Sequence, residues 1–308
     1  MQKENRRNTK LLGEPTQASA SGVAFSLASI LPVILSMLVQ IALAKTDYLE
    51  NEWGLYIIYL LPQLAFAITA VWCAWYTKTP LKRAVRNQKC KPRYFLLALI
   101  LQIGLLFLSE LNALFLQFLG HFGYEDAGIR LPSMDGFGFL GVLLVVAVLP
   151  AVFEEIMFRG VLLKGLKSFG EVGSVLLCGA LFALYHQNPA QTLYQFCCGA
   201  AYALIAVRAG SVLPTIFAHC FNNALILTLT KFGVESFPVL VLFTILILSL
   251  ICLIISLVWI FAFDKRKAYE NGQKPTYDKN ERKRFFVYAS VGIAICALTW
   301  LTVLISGL

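Results

Sequence analysis

Apolar residues run along this chain in blocks of about 20, long enough for a helix to cross the hydrocarbon layer of a bilayer. The blocks lie at about 23–44, 55–76, 94–119, 137–167, 171–186, 190–207, 212–230, 237–263 and 285–305. Lipid offers no partner to backbone N–H and C=O groups, so each block must be helical. The pattern predicts an all-α, polytopic transmembrane helical bundle of eight to nine spans. Trp53, Tyr56, Trp72, Trp75 and Tyr76 lie toward the ends of the second block, as an interfacial aromatic belt does. Pro32 predicts a kink in the first. The chain then divides into a disordered cytoplasmic tail (1–20), N-terminal transmembrane helices (21–136), a core that carries the polar exceptions (137–230), and C-terminal helices (231–308) with a basic linker at 264–284.

Charge sets the orientation. With the N-terminus inside, the segments 1–20, 77–93, 164–170, 208–211 and 264–284 face the cytoplasm and hold four, seven, two, one and eight Lys/Arg. The opposite loops hold only Lys45, Arg130 and Lys231. This asymmetry is the positive-inside pattern, and it accounts for the net charge of +9. Basic residues confined to loops between spans argue against a nucleic-acid partner; the partners expected are the lipid bilayer and a membrane protein or peptide. Short loops and lean soluble segments look bacterial, so the expected location is a bacterial cell membrane. Of the eight cysteines, seven lie in apolar blocks, without CxxC or Cys/His zinc spacing. They read as small apolar packing residues.

Glu110, toward the end of the third block, reads as interfacial; three other blocks carry polar exceptions. Phe153-Glu154-Glu155-Ile156-Met157-Phe158-Arg159-Gly160 puts three ionisable groups in the fourth, at a cost of roughly 3 kcal/mol each on insertion scales. His186 ends the fifth block, four residues after Phe182, and the seventh holds His219 and Asn223, also four apart. Residues four apart share a helix face. Arg159 can therefore hold Glu155, while Glu154 points about 100° away. A carboxylate and an imidazole can deprotonate a water; a second imidazole and an amide can stabilise an oxyanion. One Glu and two His could instead ligate a divalent metal with a position left for water. Both routes lead to hydrolysis of an acyl bond. Cys220 beside His219 is a poor nucleophile candidate, because adjacent helix positions diverge. Counted along ideal helices, Glu154 is ~26 Å from the outer end of its span and His219 ~10 Å from the inner end of its own, so a shared site requires tilted or offset helices.

The ordered set Glu154-Glu155-xxx-Arg159, Phe182-xxx-His186 and His219-xxx-Asn223 resembles the CAAX protease and bacteriocin-processing (Abi) family of intramembrane proteases, which includes type II CAAX prenyl endopeptidases. The likeness covers about residues 137–230. It implies an endopeptidase in which Glu154, aided by His186, activates water, Glu155 with Arg159 holds the site together or shares in catalysis, and His219 and Asn223 stabilise the oxyanion. It leaves a divalent metal such as zinc open as a cofactor, with Glu154, His186 and His219 as its ligands. Two other classes remain: a non-catalytic scaffold or bacteriocin self-immunity protein, which would keep activity on Glu154→Gln, and a transporter, against which no broken helices recur in repeated halves.

Overall fold

A computed structural model describes residues 16–47, 51–126, 128, 130–234, 237–264 and 277–308. Among the described residues there are nine helices long and apolar enough to cross a membrane: α1 (Gln17–Ala42), α2 (Glu52–Tyr76), α3 (Arg93–Gly120), α4 (Gly138–Gly165), α5 (Lys167–Tyr185), α6 (Pro189–Ala209), α7 (Leu213–Lys231), α8 (Val239–Phe263) and α9 (Lys279–Ser306). They contain no strand. The protein is an all-α, multi-pass membrane bundle.

Two boundaries differ from the hydropathy pattern. The first helix begins at Gln17, inside the expected tail, because Thr16 and Ser19 form a reciprocal capping box: Ser19 N–H donates to Thr16 Oγ1 (3.2 Å) and Thr16 N–H to Ser19 Oγ (3.0 Å). The rest of that tail, 1–15, lies outside the described residues. The last helix begins at Lys279, capped by Asp278, so the end of the basic linker is already helical; residues 265–276 of the linker lie outside the described residues.

Small residues let backbones meet where the bundle is tightest. α1 packs along α9, and a Cβ on Gly22 would come within 2.5 Å of Phe285 O. Ser26 Oγ donates to Tyr288 O across the same seam (2.7 Å). α5 crosses α6 at Gly179 and Gly199, where a Cβ on Gly199 would sit 2.8 Å from Gly179 Cα. α8 packs one stripe against α3, where a Cβ on Gly104 would lie 2.5 Å from Leu253 N, and presents most of its apolar side chains outward, as a lipid-facing helix should.

The basic loop between α2 and α3 does not hang free. A one-turn helix, Leu81–Ala84, and the buried Val85 tuck beneath α4, where Gly160 admits them: a Cβ there would lie 2.6 Å from Val85 O. Lys164 Nζ donates to the carbonyls of Arg83 and Ala84. Val212 N–H donates to Arg86 O (3.2 Å) and Ser211 Oγ to Gln88 O (2.6 Å). α7 therefore starts under this loop, with Ser211 and Val212 fully buried, rather than at the edge of the bundle.

Candidate active site

Three features of chain geometry bring the polar exceptions together. The deep start of α7 lifts His219 toward the middle of the bundle. Side chains tilt toward the N-terminus of their helix; α4 and α5 run in opposite senses, so Glu154 leans outward and His186 leans back into the bundle, its ring 4.6 Å from that of Phe182. Finally, the turn that carries the Glu pair, Leu149–Glu155, is flanked by π-helical stretches, Leu143–Val148 and Ile156–Leu162. π-turns re-aim side chains along a helix and recur at functional sites.

The anchor is the fully buried pair of Arg159 and Glu155, Nη1 to Oε1 2.7 Å. Its charges are not left to lipid. Arg159 Nη2 donates to Gly199 O (3.1 Å), which the close α5–α6 crossing brings within reach, and its guanidinium lies 4.2 Å from the Phe182 ring centre and 5.4 Å from that of Tyr202. Glu155 Oε1 also accepts from His219 Nδ1 (3.1 Å). A carboxylate only accepts, so this contact places the Nδ1 proton on His219 and turns Nε2 toward Glu154. The Nε2–Glu154 Oε2 distance is 3.9 Å, too long for a direct hydrogen bond and suited to one bridging water. His186 is oriented in the same way: Nδ1 donates to Phe182 O (2.8 Å), leaving Nε2 as acceptor.

Glu154, His186, His219 and Asn223 all line one cavity of about 660 Å³. Glu155 and Arg159 stand behind it. Glu154 retains 13% side-chain exposure whereas Glu155 has none, so of the two carboxylates Glu154 is the one open to water. Cys220 is not among the lining residues.

Some participants were not singled out by the sequence reasoning. Asn223 is held by a buried amide–phenol network reaching α3. Tyr202 Oη donates to Gln102 Oε1; Gln102 Nε2 donates to Asn222 Oδ1 (2.6 Å); Asn222 Nδ2 donates to Asn223 Oδ1 (3.2 Å). With Oδ1 occupied, the Asn223 amide presents its Nδ2, which reaches Val146 O at 3.4 Å. Gln63, directly after Pro62, lines the cavity with its Oε1 buried and without a partner among the described residues. A polar side chain inside an apolar block was the available signal for both Gln63 and Gln102.

Metal binding is a question of donor arrangement. Among the described residues no group of three His, Cys, Asp or Glu stands so as to hold a metal ion. Glu154, His186 and His219 share a cavity without forming a ligand set, and the chemistry below routes no step through a metal.

Compared with known proteins, residues 136–225 match the family described as Rce1-like, Type II CAAX prenyl endopeptidase Rce1-like. The match spans α4 to most of α7 and contains all six residues of the expected constellation. Neither the curated proteins nor the solved structures gave a match.

Proposed function

Because the chain belongs, through residues 136–225, to the CAAX-type protease family, we propose that it is an intramembrane endopeptidase that hydrolyses a peptide bond with water activated by Glu154. The observation that carries this reading is the approach of Glu154 Oε2 to within 3.9 Å of His219 Nε2, close enough for one water beside them to bond both, in a cavity shared with His186 and Asn223.

In this mechanism a water sits between Glu154 and the imidazoles. Glu154 takes one proton as the oxygen attacks the scissile carbonyl carbon, and the free Nε2 of His186 accepts from the same water. The carbonyl oxygen becomes an oxyanion facing Asn223 Nδ2 and, when His219 is protonated, the N–H at its Nε2. Collapse breaks the C–N bond. The proton held by Glu154 passes to the departing nitrogen, so peptide and water yield a carboxylic acid and an amine, which settle as carboxylate and ammonium with nothing else consumed. Glu155 and Arg159 do not touch the reacting atoms; they hold His219 in its tautomer and orientation.

Membrane proteomes from cells carrying the wild-type chain and Glu154→Ala test the reading. New termini should appear only with the wild type, since loss of a general base typically costs ~10²–10⁴-fold in rate. Wild-type proteolysis by a folded, inserted Glu154→Ala would overturn the mechanism.

A further inference from the structure

We infer that this protease takes its substrate from the extracytoplasmic side: the substrate is a membrane-anchored polypeptide whose scissile segment is uncharged and extended and reaches down to Glu154 from the outer face. The inference rests on the proteolytic reading above but draws on different observations.

The first is which end of each helix lines the cavity. α1 contributes its C-terminal half, from Ser29 to Gln40; α2 its N-terminal half, from Ile58 to Gln63; α4 the stripe Val146, Pro150 and Glu154; and the α5–α6 turn His186 and Gln187. Apart from Glu154, which with His219 lies just past mid-helix at the floor of the cavity, these lie toward the loops between α1 and α2, α3 and α4, and α5 and α6. Those loops, with the one after α7, hold three Lys/Arg between them, whereas the segments on the opposite face hold 22. A bias of that size sets the basic face in the cytoplasm.

The second is that the basic face is shut. Val85 sits against Gly160 directly below the Glu pair, Lys164 ties the carbonyls of the same loop, and the start of α7 is hydrogen-bonded to Arg86 and Gln88. At the other end the mouth is flanked by exposed Val33, Met37 and Gln40 on α1 and exposed Ile58 on α2. Water and substrate reach Glu154 from there.

The third is the lining itself. Among the described residues that line it, Glu154 is the only carboxylate and none is Lys or Arg, so the lining offers little charge to select the substrate. Amides and hydroxyls dominate its polar groups: Gln40, Gln187, Gln195 and Asn223, with Ser29, Ser36 and Tyr59. Such a surface pairs with the backbone of an extended chain, which exposes N–H and C=O groups that a helical span would satisfy internally.

Side-selective thiol labelling tests the inference without needing a substrate. Ser36→Cys, a near-isosteric change at the mouth, and Lys89→Cys, an exposed site in the basic loop, are each treated with a membrane-impermeant maleimide, first in spheroplasts and then in everted vesicles. Label above that of the unaltered chain is scored. Ser36→Cys should label in spheroplasts, and Lys89→Cys only after eversion. Labelling of Ser36→Cys only from the everted side, or from neither side, would overturn outward access. Because labelling does not require cleavage, that result would leave the proteolytic reading standing, while membrane proteomes without new termini for the wild type would remove the proteolytic reading and leave the labelling pattern intact.

Discussion

At the residue scale, the two adjacent glutamates do different work because their surroundings differ. Glu155 is fully buried and bonded to Arg159 and His219; Glu154 has only a 3.9 Å approach to His219 and a share of the cavity. Removing one partner of a buried ion pair leaves an uncompensated charge, which typically costs ~3–5 kcal/mol. Arg159→Met should therefore lower stability by about that amount, measured by thermal unfolding in detergent. Replacing both partners, Glu155→Leu with Arg159→Met, should recover much of the melting temperature and none of the cleavage, because His219 has lost its acceptor. If the double variant melted no higher than Arg159→Met alone, the pair would not be the main source of that loss. The network behind Asn223 makes a separate prediction. Gln102 touches no reacting atom, so Gln102→Leu should lower kcat about tenfold, worth ~1.4 kcal/mol, with KM unchanged on a substrate identified by the proteome comparison. An equal rise in KM would argue that the network shapes the cavity instead of aiming the amide.

At the element scale, the site depends on helices approaching more closely than large side chains permit. Arg159 reaches Gly199 O because α5 and α6 meet at Gly179 and Gly199. Gly199→Leu should spread this crossing, remove the second hydrogen-bond partner of Arg159, and lower both the melting temperature and kcat. Gly233→Leu is the control, since a Cβ there meets open space, although its φ of +63° adds local strain unrelated to the site. Equal effects at the two glycines would break the link between the crossing and the site. The limits of the sequence are clearest here. Span number, the Glu155–Arg159 pair and the shared face of His219 and Asn223 all follow from hydropathy and helical period. Depth did not. An ideal rise of 1.5 Å per residue separates His186 from His219, and hydropathy carries no sign of the buried start of α7, the π-turns around Glu154 or the backward lean of His186. These depend on contacts distant in sequence, such as Val212 with Arg86 and Gly160 with Val85.

For the whole molecule, loop contacts test the topology without reference to hydropathy. Segments on one face can bond to each other, whereas segments on opposite faces cannot. Glu125, after α3, donates its N–H to Gly307 O, after α9, at 2.8 Å. Arg282 at the start of α9 donates to Ser168 O between α4 and α5, and Arg208 near the end of α6 to Asp264 O after α8. Among the described residues, these contacts agree with strict alternation through nine spans, with Thr16 and Leu308 on opposite faces. The positive-inside rule predicts that the face with the basic loops is cytoplasmic, which would put Leu308 outside. Alkaline phosphatase, which needs an oxidising compartment for its disulfides, should therefore be active when fused after Leu308 and inactive when fused within 265–276. A cytoplasmic fluorescent reporter should give the inverse. An active phosphatase in the linker would turn the bundle over and open the Glu154 cavity to the cytoplasm. Activity at neither position would point to a missing or added span between α8 and α9. The arrangement described here requires activity at Leu308 alone, because the same alternation that sets Leu308 outside also sets the mouth between α1 and α2 outside.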